Sequence, residues 1–455
     1  MAGLVLLAGL LGLMIFSGPG TDAETPDGPR IFINLLSGDP PEQKAALDSL
    51  SKNWSAAHVP KLVEVARFSD SRTRAEVLRL LRDKTGQTIK DELNAWLHWT
   101  WNEAPAYEIE DYAAFKAALY AGIDRRFARY FAQAQESKPR IRLDEIAWGG
   151  VLQDGIPPLR EPEMISAKEA GYLADDNLVF GLVVNGDARA YPKRILAWHE
   201  MFTDTIGGVP VAGVYCTLCG SMILYETSVG GTQHVMGTSG FLYRSNKLMY
   251  DRATQSLWST LEGEPVVGPL VGKDIRLPRR SVVTTTWREW RKQHPETKVL
   301  SLRTGHRRDY AEGAAYHDYF GTDELMFTVP KLDRRLKNKD EVLALAFPEA
   351  GRDKLAIAAA FLRTNPVYHG KLDGRRFVVL TDGAGANRVY ESPEAVRFVS
   401  WDQTAAAAKD ADGRDWRVTE DELLAPDARK LKRLPAHRAF WFGWHAAFPD
   451  TQLVK

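Results

Sequence analysis

Trp287-Arg-Glu-Trp290-Arg-Lys-Gln-His-Pro295-Glu-Thr297-Lys-Val299 can be laid on Trp441-Phe-Gly-Trp444-His-Ala-Ala-Phe-Pro449-Asp-Thr451-Gln-Leu453 without a gap. The tryptophans, the proline and the threonine all match in one frame. Leu277-Pro278 precedes the first block and Leu434-Pro435 the second. Further upstream, Val179-Phe-Gly-Leu-Val-Val pairs loosely with Val342-Leu-Ala-Leu-Ala-Phe, and Asp251…Trp258 with Asp412…Trp416. The pattern reads as two copies of one β-rich unit, roughly Asp175 to Leu302 and Lys339 to Lys455. Each copy runs strand, helix, strands, then a tryptophan-bearing helix ending at Pro-Glu or Pro-Asp before threonine.

Strand signals are strongest in the first copy. Val209-Pro-Val-Ala-Gly-Val-Tyr215 and Ser221-Met-Ile-Leu-Tyr225 are apolar runs that flank Cys216 and Cys219. Gly230-Gly231 reads as a hairpin turn into Gln233–Met236. Lys247–Tyr250, the turn at 251–254 and Ser256–Ser259 read as another hairpin. A helix over Pro192–Phe202, entered through proline in its first turn, is expected to lead into the cysteine strand.

Outward from the repeat, 30–138 reads as helical. Leu47, Leu50, Val59, Leu62, Val63, Val65 and Ala66 recur at helical spacing. A second run over 71–81 starts at Asp70 or Ser71 and stops at Thr85-Gly86, as capping chemistry predicts. Two helical hairpins in tandem suggest a HEAT-like domain. Trp96, Trp99, Trp101, Tyr107, Tyr112, Phe115 and Tyr120 follow, as core between this domain and the next or as a docking surface for a partner. The fold class is therefore α+β: a helical, HEAT-like N-terminal domain followed by a duplicated β-rich domain. The expected boundaries are 1–23, 30–138, 142–330 and 331–455.

Leu4 to Phe16 is apolar and uncharged, too short for the roughly 20 residues of a bilayer span. The helix-breaking Ser17-Gly18-Pro19-Gly20 and small residues up to Ala23 follow, as in a cleaved secretory signal. No lysine or arginine precedes the run, so retention as an anchor is the alternative, and membrane contact is expected only in that case. The expected location is periplasmic or extracellular. No cysteine follows the run, which excludes a lipoprotein.

Composition narrows the class further. Of 455 residues, 44% are hydrophobic and 26% charged, which suits packed cores rather than disorder. The 59 basic and 59 acidic residues cancel, so no basic face for nucleic acid is indicated. With two cysteines, a disulfide-rich scaffold and a four-cysteine metal site within the chain are excluded. G-x-S-x-G, P-loop, H-E-x-x-H and G-x-G-x-x-G patterns are absent.

The chemistry therefore centres on Tyr215-Cys216-Thr217-Leu218-Cys219-Gly220. A C-x-x-C hairpin closed by glycine resembles the knuckles of rubredoxins and zinc ribbons, although no second knuckle is present. Three readings stand: a redox dithiol acting through Cys216 and Cys219, a copper or zinc site of Cys216, Cys219 and His199, and a structural disulfide in an interaction module. Glu200, His234, Met222 and Met236 are further candidate ligands. His199 and Glu200 end the helix before the cysteine strand, so the pocket is expected to gather Cys216, Cys219 and His199. Arg244-Ser-Asn246, with Asp251 to Trp258, is a polar–aromatic cluster suited to lining it. Arg303 to Asp309 reads as a solvated loop or an anion site. The second copy has Val378-Val379-Leu380-Thr381 where the cysteine strand falls, and acts as scaffold.

Ala190-Tyr-Pro192…Trp198-His199-Glu200…Gly207-Gly208, the Val214–Gly220 knuckle, Gly237-Thr-Ser-Gly240 and Phe440-Trp-Phe-Gly-Trp444 together resemble domain-of-unknown-function family 3179. The resemblance covers about Leu143 to the C-terminus. The family commonly has proline after the first cysteine, where this chain has Thr217. Some members are described as selenoproteins, which implies redox work at a cysteine position. A partner, if any, is expected to be another exported protein docking on the helical domain.

Overall fold

The computed structural model describes residues 28–103, 109–132 and 137–455. The apolar run read as an export signal, and Tyr107, lie outside the described residues. Among the described residues no helix is long and apolar enough to cross a membrane.

Asp70 opens the helix Ser71–Thr85 by accepting the backbone N–H groups of Arg72 (2.9 Å) and Thr73 (3.0 Å), and Gly86 closes it at φ +72°. This helix packs on His58–Ala66 and Pro40–Lys52, and His58–Ala66 packs in turn on Leu93–Glu103. Trp96, Trp101, Tyr112, Phe115 and Tyr120 are buried, which is the core alternative of the sequence reading. Their layer is continuous with a five-stranded antiparallel sheet of Ile146–Trp148, Met236–Tyr243, Asn246–Asp251, Leu257–Ser259 and Glu264–Val267. Phe241 of that sheet meets the Tyr120 and Phe127 rings at 4.8 Å and Phe131 at 5.4 Å. Fully buried Lys116 reaches both Glu64 (2.6 Å) and the carbonyl of Ile146 (2.9 Å), so its charge is paired where it is desolvated. Helices and sheet thus share one core.

Two further sheets run in the same strand order. In one, Val283–Thr286, Leu178–Val184, Asp187–Pro192 and Lys298–Leu300 lie side by side, with the last parallel to its neighbour and Met164–Ser166 at the edge. In the other, Ala436–Phe440, Glu341–Leu345, Leu355–Ala358 and Gln452–Val454 repeat that order and those senses. Trp287–Gln293 follows the first strand of one sheet and Trp441–Ala447 that of the other. The Trp290 indole N–H donates to Thr297 Oγ1 at 3.0 Å, and that of Trp444 to Thr451 Oγ1 at 2.9 Å. A buried indole needs such an acceptor, which is why tryptophan and threonine travel together at this spacing.

Between these sheets lies the cysteine sheet: Met201–Ile206, Val209–Cys216 and Ser221–Glu226, with Leu159–Arg160 and Arg279–Arg280 at its edges. Strand parity divides its side chains. Val211, Tyr215 and Leu224 join the core of the first half, while Ala212, Val214 and Ile223 pack with Trp441 and Trp444 of the second. Both faces are buried, so the strands read as unbroken apolar runs. The helix expected to reach Phe202 is shorter, Lys193–His199, because Glu200 turns left-handed at φ +55° and Met201 enters the sheet opposite Val214. The second half continues with a three-stranded sheet, Val367–Leu372, Arg375–Thr381 and Asn387–Glu391, and a five-stranded ribbon from Phe398 to Lys432.

Candidate functional site

Cys216 and Ser221 are the last paired residues of the cysteine hairpin. Across the turn, the N–H of Cys219 donates to the carbonyl of Cys216 at 3.1 Å, and Gly220 supplies the left-handed residue at φ +61°. Both cysteines are thiols, 3% and 1% exposed. The Cys219 thiol donates to the carbonyl oxygen of Ser245 at 3.3 Å, and Cys216 lies beside it across the turn. Burial pushes this thiol well above the usual cysteine range, and neighbouring Cys216 and the charge of Glu200 push the same way. The Ser245 carbonyl arrives on a two-residue hairpin turn whose residues, Arg244 and Ser245, both have positive φ (47° and 65°). Glycine or asparagine usually fills such positions; non-glycine residues held there store local strain of the kind concentrated at functional sites.

Beside the thiols sits a buried ion pair. Lys247 Nζ donates to Glu200 Oε2 at 2.9 Å, and the Tyr316 hydroxyl donates to Oε1 at 3.3 Å. The left-handed turn that ends the preceding helix places Glu200, and its carbonyl accepts the N–H of Tyr215 at 2.9 Å. Carboxylate, ammonium and dithiol therefore belong to one desolvated cluster.

The second half supplies a wall. Phe440 donates its N–H to the Cys219 carbonyl at 2.7 Å, and Asn246 Nδ2 donates to the Gly443 carbonyl at 2.9 Å. Glycine at position 443 allows a close approach: a Cβ there would lie 3.1 Å from Cys219 Cβ, so the neighbouring side chain would have to give by a few tenths of an ångström. Segment 301–340 forms the cover; its one regular element is the short helix His317–Phe320. Tyr319 donates its hydroxyl to the Leu218 carbonyl at 2.7 Å, and the Lys339 ammonium stands 3.5 Å from the centre of its ring. Around the turn, Thr217 Oγ1, Ser221 Oγ and Asn246 Oδ1 are buried without a hydrogen-bond partner in the protein. Three such atoms thus lie about one dithiol, where most buried polar groups would be paired.

His199 is engaged elsewhere. One ring nitrogen is 2.8 Å from the Pro157 carbonyl and the other 2.6 Å from the Tyr310 hydroxyl. Its helix packs on the face of Val211 and Tyr215, whereas Cys216 has the parity of Ala212 and Val214. Burial holds its pKa down to about 4. The structure thus brings Cys216 and Cys219 together with Glu200 and gives both nitrogens of His199 other partners. His234 bonds Asp251 at 2.6 Å, and Met222 and Met236 fill cores. Among the described residues no group of three or more His, Cys, Asp or Glu side chains is placed to hold a metal ion, so the donors for copper or zinc are not assembled. Arg303 pairs with Glu163 instead of standing free for an anion.

Ser245 and Asn246 meet the cysteine turn, through the Ser245 carbonyl and the Asn246 amide on Gly443, whereas the Arg244 side chain pairs with Glu145. Lys247, Tyr316 and Tyr319 are the residues that sequence reading missed. For Lys247 a signal existed: a lysine between Asn246 and Leu248-Met249 in an otherwise apolar strand needs a buried acid. In the second half, Thr381 pairs with Asn387 across the loop Asp382–Ala386, and no thiol is present there.

A family model described as a protein of unknown function, DUF3179, matches residues 153–451. No curated protein and no solved structure matches the chain.

Proposed function

The chain belongs to the DUF3179 family of proteins of unknown function, and from that premise we propose that it is a thiol–disulfide redox protein acting through Cys216 and Cys219. The observation that carries this reading is the dithiol itself: two buried thiols on one tight turn beside a buried Glu200–Lys247 pair, ringed by unpartnered polar atoms. A dithiol needs no third ligand to work.

We assign Cys216 as the attacking sulfur and Cys219, whose thiol is held by the Ser245 carbonyl and raised by burial, as the resolving one. The Cys216 thiolate attacks one sulfur of a substrate disulfide, a mixed disulfide forms, and the other substrate thiolate leaves. Cys219 then loses its proton, attacks the Cys216 sulfur and expels the second substrate thiolate. Two thiols of the protein become one disulfide, one substrate disulfide becomes two thiols, and the two protons end on the products. Because both thiols are buried, the cover at 301–340 must lift before a substrate reaches them.

The surrounding architecture is read the same way. The matched strand orders and the paired indole–threonine bonds support descent of the two halves from one unit, with the second half kept as the wall of the site. The helical segment is read as HEAT-like. It, or the segment with it, would meet a partner exported by the same route, and the run Leu4 to Phe16 would direct that export. N-terminal sequencing of native protein is expected to start near Ala23 or Glu24; an intact Met1 in the cytoplasm would contradict export.

The depth of burial favours one second reading, a structural cysteine pair in an interaction module. Equilibration in dithiothreitol redox buffers, followed by acid quench and thiol trapping, separates the two. A reversible two-electron transition of the native protein supports the redox reading. A pair that stays in one state across the buffer range, and changes only on unfolding, supports the structural one.

A further inference from the structure

A cavity of about 280 Å³ opens between the helix Trp287–Gln293 and the second half, away from the dithiol. Its floor carries Arg388, 2% exposed, which donates to Glu420 at 2.8 Å, Asp382 at 3.1 Å and Gln293 Oε1 at 2.6 Å. The other oxygen of Glu420 accepts from Arg433 at 2.7 Å. The buried charges therefore neutralise one another, and at the rim the Lys292 ammonium and the Glu289 carboxylate add one charge of each sign, so the lining favours neither an anion nor a cation.

What remains to meet a guest is a set of polar groups of both signs, plus one aromatic face. His294 Nε2 is buried without a hydrogen-bond partner and stands 3.8 Å from Glu420, too far for a hydrogen bond. Gln403 donates to Glu289 at 2.7 Å along the rim, where amide and carboxylate keep further lone pairs and N–H groups for a guest. Trp401 lines the cavity; its indole N–H is committed to the Thr381 carbonyl at 3.1 Å, so what it offers is its ring. Alternating donors and acceptors next to an indole face suit a ring that is hydroxylated at its edge and apolar on its C–H face. The volume falls just below the roughly 300–1,000 Å³ of drug-sized ligand sites, which leaves room for one such ring.

We propose that this cavity is a binding site for a neutral polyhydroxylated ring of monosaccharide size, with Trp401 as its stacking platform and His294 Nε2 as a hydrogen-bonding contact. The site does not depend on the redox reading, and neither residue belongs to the dithiol cluster.

Calorimetric titration of the full chain with D-glucose, D-galactose, N-acetyl-D-glucosamine and D-ribose, each set against citrate and glutamate, tests it. At least one sugar is expected to bind at one equivalent with Kd of about 1 mM or tighter. Trp401→Ala and His294→Ala should each weaken that sugar by about tenfold or more, and Trp401→Phe by far less. Melting temperatures show whether each variant is folded; if Trp401→Ala is not, His294→Ala and Trp401→Phe decide the question between them. No binding by any of the four sugars, tighter binding of citrate or glutamate, or sugar binding indifferent to the folded variants would each overturn the proposal.

Discussion

Replacing Lys247 by methionine keeps an unbranched side chain of similar reach and removes the ammonium. Its Nζ lies 2.9 Å from Glu200 Oε2, and the two side chains are 6% and 10% exposed. At an effective dielectric constant near 20, that separation corresponds to an attraction of about 6 kcal/mol. In the intact pair most of this is offset by the desolvation of both groups. In Lys247→Met the offset becomes one-sided: Glu200 stays buried with the Tyr316 hydroxyl as its side-chain donor. Stranding a charge in this way should cost about 3–5 kcal/mol. The double variant Lys247→Met/Glu200→Gln removes the stranded charge and should recover much of that loss, giving a coupling energy of about 2 kcal/mol or more. Urea unfolding followed by tryptophan fluorescence reads each loss as a change in midpoint at constant slope. A single-variant loss under about 1 kcal/mol, the level of a solvated surface pair, would refute the buried pairing. Additive losses in the double variant would refute it equally. Glu200→Gln alone should also let Cys219 titrate at lower pH than in the wild type, because the Glu200 charge is one of the groups holding that thiol up.

Gly220→Ala places a side chain on a residue at φ +61° and within 2.9 Å of the Phe440 ring, so a loss of at least about 1–2 kcal/mol is expected from the backbone alone, read as a lower melting temperature. An unchanged melting temperature would show that the knuckle does not need its glycine. Thr451→Val and Thr297→Val each strand a buried indole donor and should cost about 1–3 kcal/mol, by similar amounts; a loss confined to one of them would argue against equivalent roles. His199 protonates only near pH 4 in the folded chain, against about 6.5 when unfolded, so the unfolded chain takes up the proton first on acidification. Its contribution to stability is complete above about pH 6.5 and falls as pH drops toward 4; His199→Gln should flatten that part of the profile, and an unaltered slope would contradict the buried neutral ring.

Much of the scaffold was legible because its signals are local. Asp70 and Gly86 cap their helix through short-range hydrogen bonds, and the apolar runs at 209–215 and 221–225 become strands whose two faces are both covered. The Trp290–Thr297 and Trp444–Thr451 bonds show why those residue types recur together, since each indole finds its acceptor seven positions on. The cysteine turn was legible for the same reason. Its surroundings were not. Sequence proximity pointed to His199, but a left-handed Glu200 sends the chain into the sheet one residue later, so it is Glu200 whose carboxylate joins Lys247 beside the cysteines. Tyr316 and Tyr319 arrive from more than 95 residues beyond the cysteines on a segment with little regular structure, and periodicity carries no signal there. The wall at Gly443 belongs to the other half of the chain, where only the packed structure shows how closely a Cβ would crowd Cys219.

The most direct measurement is the reaction of fully reduced native protein with a small disulfide, 5,5′-dithiobis(2-nitrobenzoate), in the wild type and in Cys216→Ser and Cys219→Ser. If Cys216 and Cys219 form a working dithiol, the wild type releases two equivalents of thiolate and ends with an internal Cys216–Cys219 disulfide and no bound reagent. Cys219→Ser then stops at a mixed disulfide on Cys216, and Cys216→Ser reacts far more slowly. Native protein that releases no thiolate, with both thiols reacting only after unfolding in urea, would contradict the redox function.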